Sequence, residues 1–104
     1  MPRRDGPVTR RRFDPKKAFG IGGKEDWDII FSLPWPKKEW ETLKAIEGSG
    51  NYKLDSALAE KYGFQNARRA AEAINLVFLV LNADYRFTHS PGGDYWRDMM
   101  LMKF

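Results

Sequence analysis

Four side chains between residues 65 and 69 carry groups that can read the edges of nucleic-acid bases. They are Gln65, Asn66, Arg68 and Arg69. Arginine can donate two parallel hydrogen bonds to guanine, and asparagine or glutamine can pair with adenine in the same bidentate way. At the exposed start of one helix, these side chains could enter a groove of DNA together. The alternative for Arg68 is an ordinary surface ion pair with Glu72, one helical turn further on.

The N-terminal residues are a second, cationic candidate for binding. Residues 1–17 hold seven basic side chains against Asp5 and Asp14, a net charge of +5, whereas residues 18–104 hold eleven basic and twelve acidic ones. Three prolines and four glycines within residues 1–24 predict a flexible arm, followed by one globular domain at 25–104. The alternative is a solvated tail that keeps the protein soluble. The basic residues that could neutralise phosphates or enter an A·T-rich minor groove are Arg3, Arg4, Arg10, Arg11, Arg12, Lys16 and Lys17.

Catalysis and metal binding have little support in the composition. The chain has no cysteine and a single histidine, His89, which we expect at the surface. A zinc site built from these residue types, a disulfide and thiol chemistry are therefore excluded within one chain. Glu25, Asp26 and Asp28 form a cluster of carboxylates that either binds a cation or is solvated at the start of a segment. We predict a protein that is not an enzyme and needs no metal or cofactor.

The distribution of apolar residues predicts a soluble, cytoplasmic protein. The N-terminal fifteen residues lack the apolar core of a secretion signal. The longest apolar run, Leu76 to Leu81, is six residues and too short to cross a bilayer. We therefore expect no membrane partner.

Apolar spacing predicts three helices in the middle of the chain. The first covers residues 37–47, where apolar side chains recur every three positions. The second covers 55–62 and has Asp55 as its N-cap. The third covers 66–81 and begins at Asn66, which is also a favourable cap.

The third helix has the clearest pattern in the chain. Its apolar residues are three, four and seven positions apart, which is typical of a helix with one buried face. From Leu76 onward the flanking positions are apolar too, so we expect that end to be buried on all sides. Because Val77 and Val80 are β-branched, a strand from Leu76 onward is the alternative. The stripe consists of Ala67, Ala70, Ala71, Ile74, Val77, Phe78 and Leu81.

The two ends of the predicted domain are less regular. Residues 27–33 form either a short strand or one turn of buried helix. Residues 85–88 alternate as a strand does, 90–93 are a strong turn signal, and 95–102 return as a strand or a short helix. The final residues, 99–104, are apolar enough to dock on the core or on a partner. These elements predict a small, mainly helical α+β domain with about three helices and a C-terminal β-hairpin.

The order of these elements resembles a winged helix-turn-helix domain over about residues 37–97. The resemblance rests on LAEKYG, in which Leu58, Ala59 and Gly63 match the usual first helix and turn of that family. In the family the alanine lets the two helices pack closely, and the glycine takes the turn. Here the apolar stripe is displaced by one residue, so either the turn is longer or the two helices cross differently.

The resemblance implies a winged-helix fold and a role in binding DNA. Residues 67–76 would form the recognition helix, with its front in the major groove. Arg86 and Arg97 would flank the wing and meet phosphate or the minor groove. The expected function is a small regulatory or architectural protein that binds DNA or RNA, with a protein partner or a homodimer as further options. The alternative is a non-catalytic interaction module, an accessory subunit or inhibitor that docks on a larger protein or ribonucleoprotein assembly.

Overall fold

Residues 19–21, 23–50, 53–89 and 99–104, which the computed structural model describes, form four helices and four short strands. The helices are α1 (Lys24–Phe31), α2 (Lys37–Ser49), α3 (Ser56–Lys61) and α4 (Ala67–Val80). The strands are β1 (Phe19–Gly20), β2 (Lys53–Leu54), β3 (Tyr85–His89) and β4 (Met99–Lys103). The prediction of a small α+β fold is confirmed.

The central strand of the sheet is β4, the last strand of the chain. β3 runs antiparallel along the whole of one edge of β4. The other edge is shared by β2, which lies beside Met99 and Met100, and β1, which lies beside Met102 and Lys103. Alternate side chains of β4 face the core, so that Met99 and Leu101 are buried. The C-terminal residues therefore form a strand that completes the core of their own chain.

Part of the predicted arm belongs to the folded domain. Phe19–Gly20 form β1 on the edge of β4, and Ile21 is only 7% exposed. The segment expected as a strand or a helical turn is helix α1, so the described helices number four rather than about three. Trp27 and Ile30 bury the inner face of α1 in the core. Residues 1–18, which make up most of the predicted arm, lie outside the described ranges.

The predicted helices α3 and α4 are present with both predicted caps. Asp55 accepts a hydrogen bond from the backbone N–H of Leu58 at 2.8 Å, and Asn66 accepts one from Arg69 at 2.9 Å. These bonds satisfy N–H groups that the start of a helix leaves without a partner. Between the two helices Gly63 has a φ of 92°, a conformation that residues with a Cβ atom rarely adopt.

The buried face of α4 fixes this helix against α3 and the sheet. Ala67, Ala70 and Ala71 are buried, which allows α3 to approach closely. Ile74 and Phe78 are fully buried further along. Asn75 adds a polar connection to β3. Its amide oxygen accepts the N–H of Phe87 at 2.7 Å, and its amide nitrogen donates to the carbonyl of the same residue at 3.0 Å. The position of α4 on the sheet is therefore set by both apolar packing and directed hydrogen bonds.

The C-terminal end of α4 is not buried on all sides, and that prediction was wrong. Phe78 lies on the inner face and packs against Trp35 and Tyr85, but its apolar neighbours on the outer face are exposed to a large extent. The run is helical up to Val80, so the alternative of a strand is wrong as well. Four apolar side chains here are at least 40% exposed: Leu76, Leu79, Val80 and Leu81.

Candidate nucleic-acid interface

The exposed start of α4 follows directly on the turn that joins it to α3. Phe64 anchors this turn, because its ring packs on the core and its N–H donates to the Ala59 carbonyl at 2.9 Å. Gln65 comes next and is exposed. Arg68 and Arg69 then project from the first turn of α4, with 79% and 63% of their side chains exposed. Gln65 and the two arginines are therefore accessible together at one corner of the domain.

Glu72 lies on the same surface and pairs with both arginines. Its Oε2 atom is 3.6 Å from Nε of Arg68, so the predicted surface pair is present. Its Oε1 atom is 3.3 Å from Nη1 of Arg69. Exposed pairs of this kind contribute only about 0.3–0.5 kcal/mol each, so a ligand can replace them easily. The three side chains together leave one net positive charge.

Asn66 has a structural role that competes with the base contact expected of it. Its side-chain oxygen accepts the N–H of Arg69 and is the N-cap of α4. A bidentate contact with adenine needs both the oxygen and the nitrogen of the amide. Because the oxygen is already bonded to the helix start, we assign Asn66 to the positioning of α4 rather than to base reading.

Arg86 is held at the start of β3, at the opposite end from the predicted hairpin tip. Its Nη1 atom donates to the carbonyl of Tyr85 at 2.6 Å and to that of Ala83 at 3.1 Å. The guanidinium also lies over the ring of Phe104, 5.3 Å from the ring centroid, a favourable cation–π arrangement. These contacts tie the connection between α4 and β3 to the C-terminal residue. We therefore leave Arg86 out of the interface and assign it to the stability of this connection.

The remaining predictions concern residues or side chains outside the described part of the structure. This applies to the side chain of His89 and to the expected hairpin tip at 90–93. It also applies to the basic residues of the arm and to the second arginine expected at the wing, which are Arg3, Arg4, Arg10, Arg11, Arg12, Lys16, Lys17 and Arg97.

Lys38 of α2 is a basic neighbour of the turn that the sequence did not reveal. Its Nζ atom lies 4.5 Å from the centroid of the Phe64 ring. Its Cε atom would be 3.4 Å from a Cβ atom built on Gly63. The aliphatic stem of Lys38 thus covers the turn while its charge stays at the surface. Only the packing of α2 on the turn creates this neighbour, so no local pattern could have identified it.

The surface between α1 and α2 mixes aromatic and charged groups. The rings of Trp27 and Phe31 stack with their centroids 5.3 Å apart, and Nζ of Lys44 lies 4.8 Å from the Phe31 centroid. Because positive and negative groups balance here, this surface offers no net attraction for phosphate. The shallow depression in this surface is lined by two lysines and two carboxylates: Lys24, Lys44, Asp28 and Glu47.

The carboxylate cluster predicted near residue 26 is divided between the core and the surface. Asp26 is 6% exposed; its Oδ1 atom accepts a hydrogen bond from the Tyr85 hydroxyl at 2.8 Å and lies 3.1 Å from Nζ of Lys103. Asp28 is instead paired with Lys24 at the surface, at 2.9 Å. Across the described ranges, no three histidine, cysteine, aspartate or glutamate side chains form a group that could hold a metal ion.

Comparison of the chain with protein-family models, with curated proteins and with solved structures finds no significant match. In the part of the chain that the structure describes, no helix combines the length and the apolar character needed to cross a membrane. Function must therefore be inferred from the residues of this chain and their arrangement.

Proposed function

We propose that this chain is a small, non-catalytic, cytoplasmic protein that binds DNA through a winged helix-turn-helix domain, as a transcription regulator or an architectural protein. Support comes from the order of the elements, in which α2, α3, the turn, α4 and the antiparallel pair β3–β4 follow one another as in that family. The short strand β2, between α2 and α3, pairs with β4 and joins these helices to the strand pair.

The observation that carries the proposal is the exposed group of Gln65, Arg68 and Arg69 at the start of α4. The major groove of DNA is wide enough to admit an α-helix. With the start of α4 in the groove, Arg68 and Arg69 donate to O6 and N7 of guanine, and Gln65 pairs with adenine. Helix α4 is the recognition helix on this proposal.

Phosphate contacts come from outside α4. Lys38 lies beside the turn, and on this proposal its charge meets the DNA backbone next to the groove. Residues 1–18 of the predicted arm precede Phe19, which pairs with Lys103 at the C-terminal end of β4. A fully extended chain of eighteen residues spans at most about 60 Å, which would be long enough to reach a groove beyond the one that α4 enters. Its net positive charge supplies most of the sequence-independent attraction.

The salt dependence of binding tests this division of roles. We expect the affinity of the full chain for a random duplex to fall steeply with salt, and deletion of residues 1–17 to make the dependence shallower. Each phosphate contact adds about −0.9 to the slope of log K against log salt, so loss of several arm contacts should reduce the slope by several units. Fluorescence anisotropy over a salt series measures the slope. An affinity that is the same at low and high salt would contradict the proposal.

The exposed end of α4 favours a second candidate function, that of a protein-interaction module. An almost entirely apolar groove is lined there by Pro34, Pro36, Leu76, Val77, Val80 and Leu81. Exposed apolar surface of this kind typically marks a contact with another protein. This candidate requires a protein partner from the native source that stays bound after nuclease treatment and is lost when Leu76 and Val80 are replaced by glutamine. Release of all bound material by nuclease would instead favour DNA.

A further inference from the structure

Glu72 occupies a bridging position between the two arginines of the proposed reading surface. Its two carboxylate oxygens pair with different partners, Oε2 with Nε of Arg68 and Oε1 with Nη1 of Arg69. Arginine has five N–H donors in a planar fork. Each guanidinium can therefore keep its ion pair with Glu72 and still present two N–H groups to another ligand.

A carboxylate in this position acts differently on phosphates and on bases. A phosphate that approaches either arginine also meets the negative charge of Glu72, which repels it. The edge of a guanine has no net charge, and its two acceptor atoms carry only partial negative charge, so Glu72 repels it less than it repels a phosphate. Glu72 therefore weakens attachment to the backbone more than it weakens contacts with base edges.

The Glu72 carboxylate can itself accept a hydrogen bond from a base in the major groove. Cytosine presents its N4 amino group there as a donor, and glutamate is one of the side chains that accept from it. Two adjacent G·C pairs can therefore satisfy both kinds of side chain. The guanine of one pair offers acceptors to an arginine, and the cytosine of the other offers a donor to Glu72. At an A·T pair the arginine would face the N6 amino group of adenine or the methyl group of thymine.

From this arrangement we infer that Glu72 is a specificity-determining residue, which orients Arg68 and Arg69 towards guanine and accepts a hydrogen bond from cytosine. The target is duplex DNA with G·C pairs opposite the first two turns of α4. This inference rests on the proposed function, because it requires α4 to lie in the major groove.

Sequence selection from a duplex library with a randomised core tests the inference, using the full chain and two variants. Glu72→Gln keeps the shape of the side chain and removes its charge. Glu47→Gln is the matched control, since it removes the same charge from an exposed residue of α2 on the surface between α1 and α2. Both substitutions are on the surface, so we expect both variants to fold, which circular dichroism would verify.

We expect the wild type and Glu47→Gln to select the same site, rich in G·C pairs. Glu72→Gln should bind a scrambled duplex more tightly than the wild type does. Its preference for the selected site over the scrambled duplex should fall about tenfold, because the contact with cytosine is weakened and the two arginines are less well oriented towards guanine.

Two results would overturn the inference, and they can be told apart. If Glu72→Gln keeps the wild-type preference, or if Glu47→Gln loses it equally, Glu72 has no special role. The proposed function would then still stand, provided that the selected site depends on Arg68 and Arg69. If the wild type selects no sequence, or if alanine at both arginines leaves the selection unchanged, the base-reading role that the proposed function gives to α4 fails and the inference fails with it.

Discussion

Replacing Arg68 and Arg69 together by alanine should weaken binding to a selected duplex by about 2–6 kcal/mol and abolish the preference for its sequence. The expected size reflects the loss of two bidentate contacts, each of which discriminates between bases by about 1–3 kcal/mol. The stability of the fold should change by less than about 0.5 kcal/mol, because both side chains are exposed and pair only weakly with Glu72. Fluorescence anisotropy on the selected and scrambled duplexes measures the affinity, and thermal unfolding measures the stability.

A control with the same change in charge separates base reading from general attraction. Replacing Lys24 and Lys44 by alanine removes two positive charges from the surface between α1 and α2. This variant should bind every duplex slightly less well and should keep the wild-type sequence preference. If the arginine variant behaves in the same way as this control, the start of α4 does not read bases.

Asp26→Ala should destabilise the fold by about 2–4 kcal/mol, because it removes the acceptor for a buried hydroxyl and the counter-charge of a lysine. Asp26 and Tyr85 are 6% and 3% exposed, and Lys103 lies 3.1 Å from the carboxylate. The three residues connect α1 to β3 and β4. Urea unfolding followed by tryptophan fluorescence measures the loss. A change below about 0.5 kcal/mol, the size usual for surface sites, would contradict this role.

Tyr85→Phe provides the companion measurement at alkaline pH. Burial, followed by the hydrogen bond and charge of Asp26, raises the pKa of Tyr85 well above its ordinary value of 10.0. The folded protein therefore keeps the phenolic proton at a pH where the unfolded chain loses it. This contribution to stability is complete below pH 10.0 and decreases as the pH rises further. The wild type and a Tyr62→Phe control should lose more stability above that pH than Tyr85→Phe does, and identical pH profiles would refute the assignment.

Patterns along a single helix were sufficient to predict α4, five of the seven positions in its buried stripe, and the caps at Asp55 and Asn66; Val77 is only half-buried and Leu81 is exposed. A cap is a local event, because its side chain bonds to an N–H three residues away. The accessible surface at the start of α4 followed from the same pattern, since the arginines fall between the apolar positions. For Asn66 the sequence predicted both a cap and a base contact. Its side-chain oxygen forms the cap, so that oxygen is not available to a base.

Contacts between distant parts of the chain could not be predicted from the sequence. Strand β1 is two residues long and pairs with the C-terminal end of β4, so it leaves no periodic signal. The burial of Leu76 was predicted wrongly, because an apolar run shows which side chains prefer burial and not whether a neighbour is present to cover them. Arg86 bonds to carbonyl groups that only the folded connection brings together.

The central claim is that the start of α4 is the surface that contacts duplex DNA. Backbone amide spectra of the isotopically labelled full chain, recorded while a selected duplex is added, test this claim most directly. The proposed function predicts the largest and saturable shifts at residues 63–72, with little change in α1. Shifts confined to residues 1–18, with the amides of 63–72 unmoved, would contradict it and would leave only a nonspecific cationic arm.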